Sequence, residues 1–421
     1  MLPQPETTPH RVHPRCVLIL NRGSSSLRFA LFTLDPVPQR IWSGTVERIG
    51  SKNTTASWTQ PPGDPQTAPN LELNDERTLP ESVVRWIQMR PEFPALVAVG
   101  HRVVHGMHRS QPERVTPELI QKLRRIVPLD PEHLIGELDL IEAIQHRIPT
   151  LPQVVCFYTA FHQSLPRVAR ILPLPRRFEA LGLMRFGFHG IACAFLMEAL
   201  KELHPGSPGP GRVILAHLGS GASMTAVRDG RSLDTTMGFT PAGGLPMGTR
   251  CGDLDPGVVP FLIQSCGMSA ADVVALLNRQ SGMLGISETS SDMRDLLRCE
   301  ASDVRAAEAI AVFCHEGRKR IGALAAVLGG LDTLVFAGGI GENCPAVRAR
   351  MCEGLQFLGI EWMPAANAAN AAVISAPGSR VTVRVLHTDE EGMMARSVQD
   401  WLTPDPRPPE PLRSAAPSHS L

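Results

Sequence analysis

The chain has no excess charge of either sign, since 41 lysines and arginines meet 41 aspartates and glutamates in 421 residues. That balance removes any global drive toward nucleic acid or an anionic membrane, and leaves a small molecule as the expected partner. No C-x-x-C pair occurs among the nine cysteines, Cys16, Cys156, Cys193, Cys251, Cys266, Cys299, Cys314, Cys344 and Cys352. Reduced, mostly packed thiols in a cytoplasmic protein are therefore expected, not a disulfide or zinc framework. The opening MLPQPETTPHRVHPR has prolines and charges but no apolar core, which argues against a secretory signal. The nearest approach to a membrane-length run, Ile321–Gly339, is cut by Gly329, Gly330 and Asp332 into a helix end and a buried strand.

Three catalytic signatures are missing as well. No G-x-x-x-x-G-K-S/T is present, no G-x-G-x-x-G follows an early strand, and HEGRK at His315–Lys319 lacks the second histidine of H-E-x-x-H. A P-loop enzyme, a dinucleotide fold and a zinc hydrolase of that type are set aside.

What is present is enough apolar content, 43%, to build two domains of ordinary size. Short β-branched or apolar runs at Cys16–Asn21, Leu96–Val99, Val154–Phe157, Val213–His217, Thr333–Ala337 and Val381–Leu386 suit buried strands. Helical patterns at Pro117–Ile126, Leu134–His146, Ala270–Asn278, Asp303–Leu328 and Glu390–Trp401 alternate with them, which predicts an α/β fold. Residues 1–14 and 403–421 read as flexible tails, residues 51–80 as an elaborated surface hairpin or loop, and Pro205–Gly211 as a sharp turn.

Two stretches repeat one design. LILNRGSSSLRFALF at Leu18–Phe32 and ILAHLGSGASMTAV at Ile214–Val227 each run strand, polar glycine turn, strand. Asn21 matches His217, Gly23 matches Gly219 and Ser24 matches Ser220. Such turns gather backbone N–H groups and hydroxyls at one point, a geometry suited to phosphate oxygens. A third turn, Gly338-Gly339-Ile340-Gly341-Glu342-Asn343, follows the Thr333–Ala337 run, where a nucleotide can lie against backbone. Facing turns of this kind predict a nucleotide phosphotransferase with two similar halves.

The motifs NRGSSSLR, GHRVVHG, TAFHQSLP, RFGFHG, HLGSGAS, MGFTPAGGLPMGTRCGDLDP, SGMLGIS, SDMRDL, FAGGIGEN and TDEE resemble those of acetate kinases in order and spacing, from about residue 16 to 400. The resemblance implies two ribonuclease-H-like domains of the actin/hexokinase/Hsp70-like fold with a cleft between them. It places the N-terminal domain at 15–162, with a C-terminal helix at about 388–402 packing back on it, and the nucleotide-binding domain at 163–387. It further implies a homodimer and phosphoryl transfer from MgATP to a short carboxylic acid. Acetate leads, with propionate or butyrate as alternatives. Asn21 and Glu390 resemble the Mg²⁺-site residues, and Arg28 stands where the family has a lysine near the phosphates. Arg102 resembles the carboxylate-binding arginine, and Val104, Phe188 and Pro241 resemble the walls of the substrate pocket. His189 and Arg250 resemble the transition-state stabilisers. His217, Leu218, Gly219, Ser220 and Gly221, then Asp292, Met293 and Arg294, then Gly339, Ile340, Gly341, Glu342 and Asn343 resemble the ATP contacts. Two arginines and a histidine would supply the positive charge that a migrating phosphoryl group asks for.

The sequence departs from the family pattern twice. Tyr158, the only tyrosine, stands where the family has a catalytic aspartate before TAFH, and a neutral phenol is a poor substitute for a carboxylate near Mg²⁺. Impaired turnover with retained ATP binding is expected, which keeps open a degenerate, nucleotide-binding sensor. A carbohydrate kinase of the same superfamily is the third reading. In PLDPEHLIGEL, Glu132 falls on a leucine that helps wall the family's substrate pocket. It either repels a carboxylate there or points to solvent.

Overall fold

The computed structural model describes residues 14–23, 26–50, 53–60, 63, 66–67, 78–203 and 210–403. Ser24 and Ser25 of the first turn, nearly all of both tails, most of the Pro205–Gly211 turn and much of the 51–80 section lie outside the described residues.

Two mixed sheets carry the fold. The first is ordered β5-β4-β3-β2-β1-β6-β8-β7 and the second β11-β10-β9-β12-β13. In the first, β1 is Cys16–Arg22, β2 Ser26–Thr33, β3 Gln39–Glu47, β4 Thr55–Thr59, β5 Gln66–Thr67, β6 Leu96–Val103, β7 Glu113–Arg114 and β8 Gln153–Phe157. In the second, β9 is Arg212–Leu218, β10 Ala222–Arg228, β11 Arg231–Thr235, β12 Thr333–Ala337 and β13 Thr382–Val385. The order β3-β2-β1-β6-β8 is the order β11-β10-β9-β12-β13 over again, with an antiparallel hairpin leading into parallel strands in both. The sequence repeat covers only the hairpins. The structure extends it to five strands, and so makes the segment after β8 and the segment after β13 equivalent.

Each central strand is apolar on both faces because helices cover both. Val17, Ile19 and Phe32 of the first sheet meet Met394, Ala395 and Val398 of the Glu390–Leu402 helix. Cys193, Leu196 and Leu200 of the Gly190–Glu202 helix pack on Val213, Leu215 and Val335 of the second sheet. These two helices also pack on each other, which brings the two sheets' strand ends toward one region.

The glycine interruption of Ile321–Gly339 works as expected. The Val304–Leu328 helix stops at Gly329, whose φ of 69° is the left-handed cap that glycine adopts without strain, and β12 starts at Thr333. Among the described residues no helix is long and apolar enough to cross a membrane. One expectation is corrected: Gly338–Asn343 is not an open turn but a short helix, with the Glu342 carboxylate accepting the Gly338 N–H at 2.9 Å. That contact closes the backbone into a helical turn.

Candidate functional site

The site lies where strand ends of both sheets converge. Asn21 lies next to the end of β1 opposite Arg28 on β2, and Arg102 lies near the end of β6. Tyr158 follows β8, donating its backbone N–H to Val103 of β6. Glu390 occupies the equivalent place after β13, at the start of its helix. From the other side come His189, at the N-terminus of the Gly190–Glu202 helix with φ 58°, and the β9–β10 turn with Ser220 and Gly221. Arg250 and Pro241 arrive on the long segment after β11. All of these residues, together with Val104, Phe188 and His133, line one cleft.

At its floor, Tyr158 donates its hydroxyl to Glu390 Oε1 at 2.6 Å. Asn21 Nδ2 donates to Glu390 Oε2 at 3.0 Å and to Glu391 Oε1 at 2.9 Å, so the amide turns its carbonyl oxygen away from the carboxylates. Burial and the facing Glu390 carboxylate hold the Tyr158 phenol well above its ordinary value, so it is neutral across the physiological range. Burial, and then Glu390, also raise Glu391.

Arg102, buried, and Arg250, half-buried, are two cations of the cleft. Arg102 forms an ion pair with the buried Glu137 at 3.0 Å, donates to the Arg22 carbonyl and lies over the Tyr158 ring at 4.7 Å. Arg250 donates to the Pro241 carbonyl at 3.2 Å and to the Met247 thioether sulfur, Sδ, at 3.6 Å. No carboxylate reaches it within salt-bridge distance among the described residues.

His189 corrects the expectation of a third positive charge. Burial, then His217, Arg250 and Arg102, push its imidazole well below the ordinary value, so it is neutral at pH 7. Its Nδ1 lies 2.8 Å from Ser223 Oγ, and its ring stands 4.6 Å from that of His217. A neutral ring carries one proton, and the tautomer in which Ser223 donates to Nδ1 is the one that leaves Nε2–H as a hydrogen-bond donor and not as a cation.

The nucleotide residues proposed from sequence divide into two groups. Ser220 and Gly221 face the cleft, and a Cβ on Gly219 would come within 3.9 Å of Gly339 N, so the β9–β10 turn and the helix after β12 are neighbours. Gly248 bridges this turn to the next segment, since its Cβ would meet Ser291 O at 3.2 Å and Ser220 O at 3.4 Å. Asp292, one residue on, caps the Met293–Cys299 helix and pairs with Arg294 at 2.6 Å. Leu218, Met293 and Ile340 instead bury their side chains in the core, leaving only backbone to meet a ligand. Glu342 is engaged by Gly338 N–H and by His387 Nδ1 at 2.8 Å, Gly341 is buried, and Asn343 donates to the Gly339 carbonyl.

Val104 and Phe188, which line the cleft, are buried and apolar. Glu132 does not line the cleft. It forms an ion pair with Arg279 at 2.9 Å, and the helix that starts at Pro131 presents His133 instead. Burial lowers the His133 imidazole, while Asp130 accepts from it at 2.8 Å. Burial alone would raise the Asp130 carboxyl, but His133, Arg250 and Arg102 bring it below its usual range. Sequence reading missed Asp130, Glu137 and Glu391, all of them charged residues in or beside a helical pattern, where a solvated face is the ordinary reading.

A triphosphate fits this cradle. A Cβ on Gly221 would stand 3.3 Å from His189 Nε2 and 3.5 Å from Arg250 Nη1, so the space before both donors is open because residue 221 has no side chain. The buried Nδ1 of His217 has no hydrogen-bond partner among the described residues. Magnesium fits as an ion that arrives with the nucleotide. Glu390 is the carboxylate of this pair, and Asn21 would offer its Oδ1 once the amide turns from the present arrangement, in which Nδ2 faces Glu390 and Glu391, leaving coordination places for phosphate and water. Among the described residues no group of three His, Cys, Asp or Glu would hold a metal by itself. Gly221→Ala is accordingly expected to lower phosphoryl transfer about 10²-fold through misplaced donors, with an unchanged melting temperature. Steady-state assay beside differential scanning calorimetry checks this.

The chain is similar to known proteins over most of its length. The model of the acetokinase family matches residues 16–396. An acetate kinase of Methylocella silvestris is 44% identical over 396 residues, covering 91% of this chain and 96% of that protein. Among solved structures, the acetate kinase of Porphyromonas gingivalis superposes with a TM-score of 0.80 at 35% identity, over 92% of this chain and 99% of its own. A propionate kinase of Francisella tularensis gives 0.83 at 33%, over 91% and 98%.

Proposed function

The chain belongs to the acetokinase family, and from that premise we propose that it is a kinase transferring phosphoryl from MgATP to the carboxylate of a short acid, reversibly, with acetate first among its substrates. Arg102, His189 and Arg250 converge in one cleft with Asn21 and Glu390, and this observation carries the reading.

An acid's carboxylate is already ionised at pH 7, so the protein has no base catalysis to supply. It must hold two anions in line and balance charge as the phosphoryl group moves between them. Arg102 receives the carboxylate, with Val104, Phe188 and Pro241 around the alkyl end. Arg250 stabilises negative charge at the transferring group, and His189 donates a neutral hydrogen bond to it. Gly219, Ser220, Gly221, Gly339 and Gly341 present backbone to the nucleotide, with Arg28 at the cleft mouth. Asn21 and Glu390 would hold the magnesium ion, which when bound draws off phosphate charge.

The wall chemistry also favours the alternative of propionate or butyrate, because one methylene in an apolar pocket is worth only about 1–3 kcal/mol in discrimination. We place the two units at 15–162 and 163–387, with 388–402 returning to the first. A homodimer accords with the Val258–Gln264 helix, whose sequence VVPFLIQ is apolar yet buries none of its residues, Phe261 being 61% exposed. A cytoplasmic location is supported by the nine free thiols.

Coupled assay of ADP formation against acetate, propionate, butyrate and no acid tests the proposal. Turnover is expected only when an acid is present, with acetate best. ATP binding without acid-dependent turnover would select the sensor instead.

A further inference from the structure

Behind the acid-binding wall, the Pro131–Arg147 helix sets a carboxylate directly against the arginine assigned to the substrate. Glu137 is fully buried. Its Oε1 lies 3.0 Å from Arg102 Nη2, and its Oε2 accepts the Val104 N–H at 2.9 Å. The same Nη2 donates to the Arg22 carbonyl, so the guanidinium is held before any ligand arrives. Its Nε is buried without a hydrogen-bond partner among the described residues. Arg102 is therefore positioned but already neutralised. A second carboxylate docking on it would make three charges of net −1 in a place that excludes water, an arrangement that costs affinity unless one charge is removed.

We propose that Glu137 is a positioning residue that couples binding of the acid to uptake of one proton. In the free protein its carboxylate clamps Arg102. When the acid docks, Oε1 takes a proton from solvent and the arginine's charge passes to the ligand. The inference rests on the carboxylate-kinase reading.

The surroundings support it. Oε1 makes only the misaligned ion-pair contact and no hydrogen bond, so a proton has a place there. Arg102 faces Glu137 from β6, Arg22 from β1 and Asp130 from the start of its own helix. Arg22 is close enough that a Cβ on Gly136 would touch its Nε at 2.9 Å. Burial lifts the Glu137 carboxyl to about 7 against the pull of Arg102. The other ionisable neighbours titrate elsewhere: burial brings His105 down to about 4, and Asp130 and His133 are both lowered.

The sign follows. Below about pH 7 Glu137 already carries its proton, and the acid binds without drawing another. Above it, each acid bound must draw a proton from solution, so KM for the acid rises by up to tenfold per pH unit. Neither kcat nor KM for ATP shares that slope.

KM for acetate, KM for ATP and kcat are to be measured from pH 6 to 9 on the wild type and on Glu137→Gln, which imitates the protonated carboxyl. The expected result is a rising KM for acetate in the wild type and a flat one in the variant, lower than wild type by up to about 30-fold at pH 8.5. A flat wild-type profile, or the same slope in the variant, overturns the proposal while leaving the kinase reading intact. If Glu137→Gln does not fold, the protons taken up on acetate binding to the wild type decide. Calorimetry at pH 8 in buffers of different ionisation enthalpy should count about one, and a count of zero overturns the proposal. Absence of turnover with every acid instead overturns the kinase reading, and the binding calorimetry still reads Glu137 separately.

Discussion

Arg250→Ala is expected to lower kcat by about 10³-fold, the scale on which an arginine acts at a transferring phosphoryl group. The same change should leave the melting temperature unchanged or higher. Both halves of this expectation come from one feature, a guanidinium whose nearest acceptors are a carbonyl at 3.2 Å and a thioether at 3.6 Å, with no carboxylate in reach among the described residues. Burial already pulls this group below its ordinary value. A protein that keeps a cation so poorly compensated loses stability by it, and recovers that loss when an anion arrives. Arg102, clamped by Glu137, is the contrast. Removing Arg102 strands a buried carboxylate, so Arg102→Ala should lose stability as well as activity. Calorimetry beside steady-state kinetics separates the two arginines. Equal loss of stability in both variants would deny Arg250 its role as an uncompensated charge. Arg250→Lys should recover little, because a point charge lacks the planar fork that meets phosphate oxygens.

Local signals in the chain carried most of the fold. The hairpins β1–β2 and β9–β10 were legible because a strand, a glycine-hydroxyl turn and a second strand are contiguous. The five-strand repeat was not, because the segments at the ends of β8 and β13, CFYTAFH and VLHTDEE, share only the threonine at their fourth position, Thr159 and Thr388. Only the sheet order makes them equivalent. Tyr158 and Glu390 are separated by 232 positions, yet they meet at 2.6 Å for that reason. The acidic residues of PLDPEHLIGEL show the limit from another side. The family resemblance drew attention to Glu132, but the helix phase turns it toward Arg279 and sends Glu137 into the interior. A helix of 17 residues whose apolar face is interrupted by charge does not declare which charge is inside. His189 was located from its motif, whereas its neutrality depends first on burial and then on His217, Arg250 and Arg102, which come from three other parts of the chain.

Tyr158→Asp is expected to raise phosphoryl transfer by about 10²-fold, the scale of a positioning error corrected at a reacting centre. In the present chain the phenol occupies Glu390 Oε1 with a hydrogen bond and remains neutral. Its ring also takes part of the Arg102 charge at 4.7 Å and meets His189 edge-on at 5.6 Å. An aspartate would end those contacts, free Glu390 and set a second carboxylate opposite the first. Two facing carboxylates repel unless a divalent cation stands between them. The variant should therefore melt lower than wild type without magnesium and regain that loss with MgATP, a shift the wild type shows more weakly. Thermal denaturation with and without MgATP reads this independently of turnover. An unchanged rate, with the magnesium-dependent gain in melting temperature present, would mean that metal placement is restored but was never limiting. An absent gain would mean that residue 158 does not face the metal site at all.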